Sequence, residues 1–218
     1  MDTTRFSAIV PVTPTPPPMR INFLSTAVFG AALLLPSISA RAQKVEIRPV
    51  AEQIASAVLP LAEDMRAEAG VLGYKEAGKV VLLRPSKNGM TCLASDPALG
   101  NFHVACYANS MEPFMARGRE LREGGTGGTE VDSIRFREVK AGKIKMPTFP
   151  AALYQLNGPK GDFNPVTGLA PNAKPTHVVY IPFATAASTG LSTKGSAGRP
   201  WIMYPGTPKA HIMITGTM

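Results

Sequence analysis

The feature that most restricts how this chain folds is its pair of cysteines, Cys92 and Cys106, which are its only two. A structural zinc site uses four ligands in close pairs, and a thioredoxin-type redox site uses a C-x-x-C spacing. Cysteines fourteen positions apart match neither pattern. We therefore predict that the two form a structural disulfide, which indicates that the protein folds in an oxidising compartment.

The residues before the first cysteine predict a β-hairpin. Residues 79–84 (KVVLLR) are apolar and β-branched, as is typical of a strand. Asn88 and Gly89 follow, and this dipeptide favours the positive φ angles of a tight hairpin turn. We therefore expect residues 90–94 to return beside residues 79–84 as the second strand of the hairpin.

A third predicted strand, residues 102–107, carries the second cysteine. If it pairs antiparallel with residues 90–94 across a loop centred on Leu99, Cys92 and Cys106 lie directly opposite each other. Directly opposed residues lie about 4.5–5.5 Å apart at Cα, which is within the reach of a disulfide. Closing a loop of this size stabilises a fold by about 3 kcal/mol in the chain-entropy model.

Residues 19–42 have the three parts of a secretory signal peptide. A positive charge at Arg20 comes first, and the apolar run of residues 21–35 follows it. The small residues Ala40 and Ala42 then occupy the positions before the expected cut. We expect cleavage after Ala42 and a periplasmic or secreted product, which is the pattern of a bacterial exported protein.

The N-terminal segment leaves two alternatives open. Residues 1–18 end in a proline cluster, so we expect either a disordered extension or a mis-called start, with translation beginning at Met19. A membrane anchor would need about 20 apolar residues, and the apolar run here has about fifteen. We therefore expect no stable membrane insertion once the signal peptide has been removed.

The mature chain, residues 43–218, has a length that is usual for a single domain. It contains 20 basic and 14 acidic residues, so its net charge is about +6. Basic proteins often bind nucleic acid, but an exported protein seldom meets it, and most of the basic residues are dispersed along this chain. We therefore expect an envelope partner or a small ligand, and no nucleic acid.

Three helices are predicted in the mature chain. Residues 49–69 carry an apolar stripe at helical spacing, and Pro60 within it predicts a kink or two short helices. A second helix is expected over residues 110–123, where a glycine run ends it. A capping-box pattern at residues 129–132 is expected to begin a third helix, which ends near Gly142.

The remainder of the chain is typical of extended structure. Four short strands are predicted, at residues 152–156, 176–183, 201–204 and 210–215. The fold class is therefore α+β: a small, mostly antiparallel sheet of about five to seven short strands, packed with two or three helices and one disulfide. Two connections, residues 157–175 and 184–200, are unusually long, so we expect them to shape any functional site.

Residues that could carry chemistry are few, and two catalytic arrangements can be drawn. If the last two long strands are neighbours, His177 and His211 could meet on one face, with Asp162 as the available carboxylate. Ser192 could form a serine–lysine pair with Lys194. The acyl-transfer motif G-x-S-x-G and the zinc motif H-E-x-x-H are both absent from the sequence.

Lys194 and Arg199 are candidates for holding an anion in their glycine- and serine-rich loop. We expect no metal site and no cofactor. Three functional classes stay open: a binding or interaction module, a small cell-envelope hydrolase that uses the histidines above with Ser192 or Asp162, and a structural envelope protein without a small-molecule site. We expect the first class, because catalytic sites usually leave a readable pattern in the sequence.

Overall fold

Helices and strands are described for residues 45–215 in the computed structural model, so the predicted signal peptide and N-terminal extension lie outside the described residues. Within that range the strands are β1 (Gly70–Glu76), β2 (Lys79–Arg84), β3 (Met90–Leu93), β4 (Asn101–Ala108), β5 (Ala151–Pro159), β6 (Lys174–Tyr180), β7 (Trp201–Met203) and β8 (His211–Thr215). The helices are α1 (Val50–Ala57), α2 (Glu63–Arg66), α3 (Glu112–Glu123), α4 (Gly128–Lys140) and α5 (Ala186–Thr189).

All eight of these strands belong to one sheet, in the order β2-β1-β3-β4-β5-β6-β8-β7. Neighbouring strands are antiparallel except for β1 and β3, which run parallel. The α+β class is therefore confirmed, and the sheet of the described residues has more strands than the five to seven predicted. The additional strand is β1, which the sequence pattern did not predict.

The predicted hairpin between β2 and β3 is wrong, because β1 lies between these two strands. β2 instead pairs with β1 across a tight turn, in which Gly78 has a φ of +76°. Gly89 also has a positive φ, +77°, but the turn that it forms joins strands that are not neighbours. The Asn88-Gly89 pattern therefore predicted a turn correctly and the strand pairing incorrectly.

Cys92 and Cys106 form the predicted disulfide and lie directly opposite each other in the antiparallel pair β3–β4. Their Cα atoms are 3.9 Å apart, and neither residue is exposed to solvent. The disulfide belongs to a buried cluster that includes Ala57, at the end of α1, and Leu61, which lies between α1 and α2. The bond therefore joins two strands inside the core.

Helices cover both faces of the sheet. Successive side chains of a strand point to opposite faces, so Cys106 and Tyr107 of β4 face different layers. Cys106 packs in the cluster that contains Ala57 of α1. Tyr107 packs in a second cluster, which contains Phe114 of α3 and Leu153 of β5. α1 therefore lies on one face, and α3 lies on the other.

The helices agree in part with the sequence expectations. α1 and α2 confirm that Pro60 divides the predicted helix of residues 49–69 into two short helices. α3 corresponds to the second predicted helix, after a 3₁₀ turn over Asn109–Met111. The predicted capping box is wrong, because α4 begins at Gly128 and Asp132 forms an ion pair with Arg135 instead. None of the helices within residues 45–215 has the length and apolar character needed to cross a membrane.

Candidate functional site

The two histidines singled out from the sequence lie on opposite faces of the sheet. β6 and β8 are neighbours, but His177 is paired with Ile214, whereas His211 is paired with Tyr180. Positions 177 and 180 are three apart on β6, so these two pairs face different sides. His177 is exposed, while His211 is buried and its Nδ1 donates a hydrogen bond to the Lys209 carbonyl at 2.7 Å. Burial lowers the pKa of His211.

The remaining sequence candidates make local contacts. Asp162 is buried and accepts hydrogen bonds from both the backbone and the side-chain nitrogen of Asn172, which closes their loop. Ser192 Oγ accepts a hydrogen bond from the backbone N–H of Lys194 at 3.0 Å and donates to the Lys194 carbonyl at 3.3 Å. Lys194 and Arg199 are both exposed. The structure therefore does not assemble these residues and the histidines into one catalytic group.

Metal ligands and buried charges give no catalytic centre either. Within residues 45–215, no three His, Cys, Asp or Glu side chains are grouped so that they could hold a metal ion. Arg135 is buried, forms an ion pair with Asp132 and lies over the Phe114 ring, with 3.9 Å from its guanidinium carbon to the ring centre. Lys209 also binds Asp132, at 2.7 Å. This network connects α4 to the segment before β8 and is structural.

A cavity of about 680 Å³ lies beside α1, where β1 and β3 separate. The two parallel strands pair only along Gly70 to Leu72 of β1, so Tyr74 has no strand partner on that side. The segment before α1, the loop between β3 and β4, and residues 160–163 complete the wall. Small-molecule sites typically have volumes of about 300–1,000 Å³, and this cavity falls in that range.

The side chain of Gln53 on α1 makes the hydrogen bonds to the Tyr74 backbone that a neighbouring strand would otherwise make. Its amide oxygen accepts a hydrogen bond from the Tyr74 backbone N–H, and its amide nitrogen donates to the Tyr74 carbonyl, both at 2.8 Å. The same nitrogen donates to the Arg48 carbonyl at 2.8 Å. Gly73 leaves the space for this contact, because a Cβ there would lie 2.5 Å from the Gln53 oxygen and 2.4 Å from Leu83 Cδ1.

One part of the cavity wall is apolar and contains a compensated charge. Phe102 and Phe163 line the cavity and are buried, 5% and 3% exposed. The guanidinium carbon of Arg48 lies 5.8 Å from the centre of the Phe163 ring. Arg48 also forms an ion pair with Glu52 at 3.0 Å. The positive charge of Arg48 is therefore already balanced by a neighbouring carboxylate of α1.

Asp96 and the backbone of Tyr74 belong to the polar part of the wall. Gly73 faces Gln53, so the side chain of Tyr74 points to the opposite face of the sheet. Tyr74 is only 5% exposed, and the hydrogen bonds that it makes within residues 45–215 involve its backbone and not its hydroxyl. Burial, and then the negative charge of Asp96, raise the pKa of Tyr74 to about 12, so its hydroxyl stays protonated at neutral pH. Asp96 is half-buried, and its Oδ1 accepts a hydrogen bond from the Ala98 N–H at 2.9 Å.

Neither Tyr74 nor Asp96 was among the residues singled out from the sequence. The usable signal was Gly73, since a glycine inside an apolar strand often marks the close approach of another group. Of the two long connections expected to shape a site, residues 157–175 contribute lining residues, whereas none of residues 184–200 lines this cavity.

Comparison with known proteins adds no assignment. No family model matches the chain, and no curated protein or solved structure is significantly similar to it. The description of the protein therefore rests on its own fold and cavity. It is an α+β domain with a disulfide in its core and a small-molecule-sized cavity beside α1.

Proposed function

We propose that the protein is a binding module that takes a small ligand in the cavity beside α1. The observation that carries this proposal is the cavity itself, which has the volume of a small-molecule site and is lined in part by the buried residues Phe102 and Phe163. An apolar part of a ligand would pack against this part of the wall, and polar groups of the wall would orient the ligand.

We also propose that the protein acts in the periplasm or outside the cell. The signal-peptide pattern of residues 19–42 and the disulfide between Cys92 and Cys106 both support this location. Disulfides persist in oxidising compartments and are rare where thiols are kept reduced. The ligand would then be a molecule of the cell envelope or of the surroundings.

The two other functional classes have less support. A hydrolase that uses His177 and His211 together would need both side chains in one pocket, and they belong to opposite faces of the sheet. A purely structural role gives no reason for a cavity of this size beside α1. The binding module accounts for both observations.

Substituting Leu99→Trp at the cavity wall is expected to weaken ligand binding by about tenfold or more, because the indole would fill part of the space. Leu99 lines the cavity and is 47% exposed, so the loop can accept the larger side chain. The measurement is an NMR screen of the isotope-labelled protein with small cationic, neutral and anionic fragments. We expect shift changes in the amides of α1 and of residues 94–99.

Leu169→Trp is the matched control, since Leu169 is a similarly exposed loop leucine that does not line the cavity. It should leave fragment binding unchanged. Fragment-induced shifts confined to other parts of the chain, or equal binding by the Leu99→Trp variant and the wild type, would contradict the proposed site.

Export has its own test in the intact mass of the protein recovered from the periplasm or medium of a bacterial host. We expect a chain that begins at Gln43, because the signal-peptide pattern places the cut after Ala42. Recovery of the protein only from the cytoplasm, with residues 19–42 still attached, would contradict the proposed location.

A further inference from the structure

Three exposed aromatic residues, Phe149, Phe183 and Tyr204, lie at one end of the sheet, which we name the aromatic end. Phe149 comes two residues before β5, Phe183 comes three residues after β6, and Tyr204 directly follows β7. β5, β6, β8 and β7 are consecutive neighbours, and their antiparallel pairing brings these three points to the same end. The residues are 78%, 54% and 41% exposed, in the same order. The fold therefore places three aromatic side chains in solvent at one end.

Two of these aromatic residues have a strained backbone. Phe183 has a φ of +65° and Tyr204 a φ of +53°, and they are the non-glycine residues with a positive φ in the described part of the chain. Backbone hydrogen bonds join their turns, from the Phe183 N–H to the Thr207 carbonyl and from the Gly206 N–H to the Ala184 carbonyl. Strain of this kind is concentrated where proteins hold ligands or partners. Burial in the core does not account for it here, because both side chains are exposed.

The C-terminal part of the chain is strongly basic. Residues 139–218 contain eight lysines and arginines and one acidic residue, Asp162. Asp162 follows β5 at the other end of the sheet, where it is buried and bonded to Asn172. Lys143 and Lys145, in the connection that leads to Phe149, are exposed and form no ion pair within residues 45–215.

Two carboxylates of α4 approach the aromatic end, and both are already paired. Asp132 binds Arg135 and Lys209, and Glu138 binds Arg117. The aromatic end therefore has positive charge that the described carboxylates do not compensate, beside apolar side chains that the core does not cover.

We propose that the aromatic end binds the surface of a lipid bilayer that contains anionic lipids, without crossing it. Phe149 and Phe183 enter the interface, and Lys143 and Lys145 lie near the headgroups. Binding of this kind combines buried apolar area with the attraction of basic residues to anionic lipids. A protein partner is a poorer match, because protein interfaces are depleted in lysine.

This surface is at the opposite end of the strands from the cavity beside α1. The cavity is lined by residues that follow β5 and precede β4, whereas Phe149 precedes β5. The inference therefore does not depend on ligand binding in the cavity, and either one can fail without the other.

Sedimentation with vesicles tests the proposal, with vesicles of phosphatidylcholine alone and of phosphatidylcholine and phosphatidylglycerol in equal amounts. The test uses the chain that begins at Gln43, because the apolar run of residues 21–35 can bind vesicles by itself. Residues 43–218 form one compact unit, which contains all of the described helices and strands. We expect binding to the mixed vesicles that weakens as salt is added, and at least about tenfold weaker binding to the neutral vesicles.

The double substitution Phe149→Ser and Phe183→Asn should weaken binding to the mixed vesicles about tenfold or more, because it removes apolar area from the interface. Asparagine tolerates the positive φ of position 183, so the fold should be kept. Substituting Lys143→Gln and Lys145→Gln should weaken binding to the mixed vesicles by about fivefold for each lysine and leave binding to the neutral vesicles unchanged.

Val166→Ser with Leu169→Asn is the matched control. These residues are 93% and 59% exposed and belong to the connection between β5 and β6, away from the aromatic end, so binding should not change. Equal binding by the Phe149 and Phe183 double variant and the wild type, or equal binding to both kinds of vesicle, would overturn the proposal. A wild type that is folded by circular dichroism and binds neither kind of vesicle would also overturn it, and would leave a protein partner as the occupant to test.

Discussion

Replacing Cys92 and Cys106 together by alanine is expected to lower the free energy of unfolding by about 3 kcal/mol. The bond closes the loop between two neighbouring strands and therefore restricts the unfolded chain more than the folded one. Both residues are fully buried, so the substitution also leaves space in a packed cluster. Urea unfolding followed by circular dichroism measures the difference between the variant and the wild type.

Reduction provides the control for this experiment. Unfolding the wild type in urea with dithiothreitol should lower its stability toward that of the double variant, whereas dithiothreitol should not change the double variant. A wild type whose stability is the same with and without reductant, or a loss well below about 1 kcal/mol in the variant, would show that the bond does not stabilise the fold in this way.

Substituting Gln53→Leu is expected to lower the free energy of unfolding by about 3 kcal/mol. The change leaves the N–H and the carbonyl of Tyr74, and the carbonyl of Arg48, without the partner that Gln53 provides. Buried polar groups without a partner are costly, and Gln53 is only 5% exposed. Because these bonds attach α1 to β1 beside the cavity, the same variant should also bind fragments in the cavity more weakly.

Gln155→Leu is the matched control, with the same substitution in a half-buried strand residue. Gln155 Oε1 and His103 Nε2 are 3.1 Å apart, so leucine removes one side-chain hydrogen bond and leaves no buried backbone group without a partner. A loss of about 1 kcal/mol or less is expected. Urea unfolding measures the loss in both variants. Similar losses in the free energy of unfolding would mean that the Gln53 hydrogen bonds contribute no more to stability than the single side-chain hydrogen bond of Gln155.

The disulfide and the cavity are connected through the loop between β3 and β4. This loop leaves β3 two residues after Cys92 and carries Asp96 and Leu99, which line the cavity. Residues 94 to 101 therefore start and end on strands that the disulfide joins. We infer that the bond, besides stabilising the fold, limits the movement of this part of the cavity wall.

Local sequence patterns predicted much of the secondary structure, because they depend only on neighbouring residues. The apolar and β-branched runs of β2, β4 and β6 are visible in the sequence, and Pro60 divides the first helix as its missing N–H requires. The position of Cys92 opposite Cys106 also followed from a local antiparallel pair across one loop.

The order of the strands could not be predicted in the same way, because it depends on contacts between distant parts of the chain. β1 contains Gly70 and Gly73, which weaken the strand pattern, and Gly70 suits the end of a helix. Once β1 is placed between β2 and β3, the hairpin expected at Asn88-Gly89 is no longer possible.

The candidate site was missed for the same reason. Tyr74 and Asp96 belong to different segments and form no motif, and only the separation of β1 from β3 brings both to one cavity. The histidines, by contrast, were prominent in the sequence because histidine is rare in this chain. The register of β6 against β8 determines on which face of the sheet each histidine lies, and local sequence patterns do not predict that register.

A crystal structure of the protein soaked with a fragment that binds in the NMR screen tests the central claim most directly. We expect the fragment in the cavity beside α1, in contact with Phe102 and Phe163. A fragment bound elsewhere on the molecule, with the cavity beside α1 empty, would contradict the account.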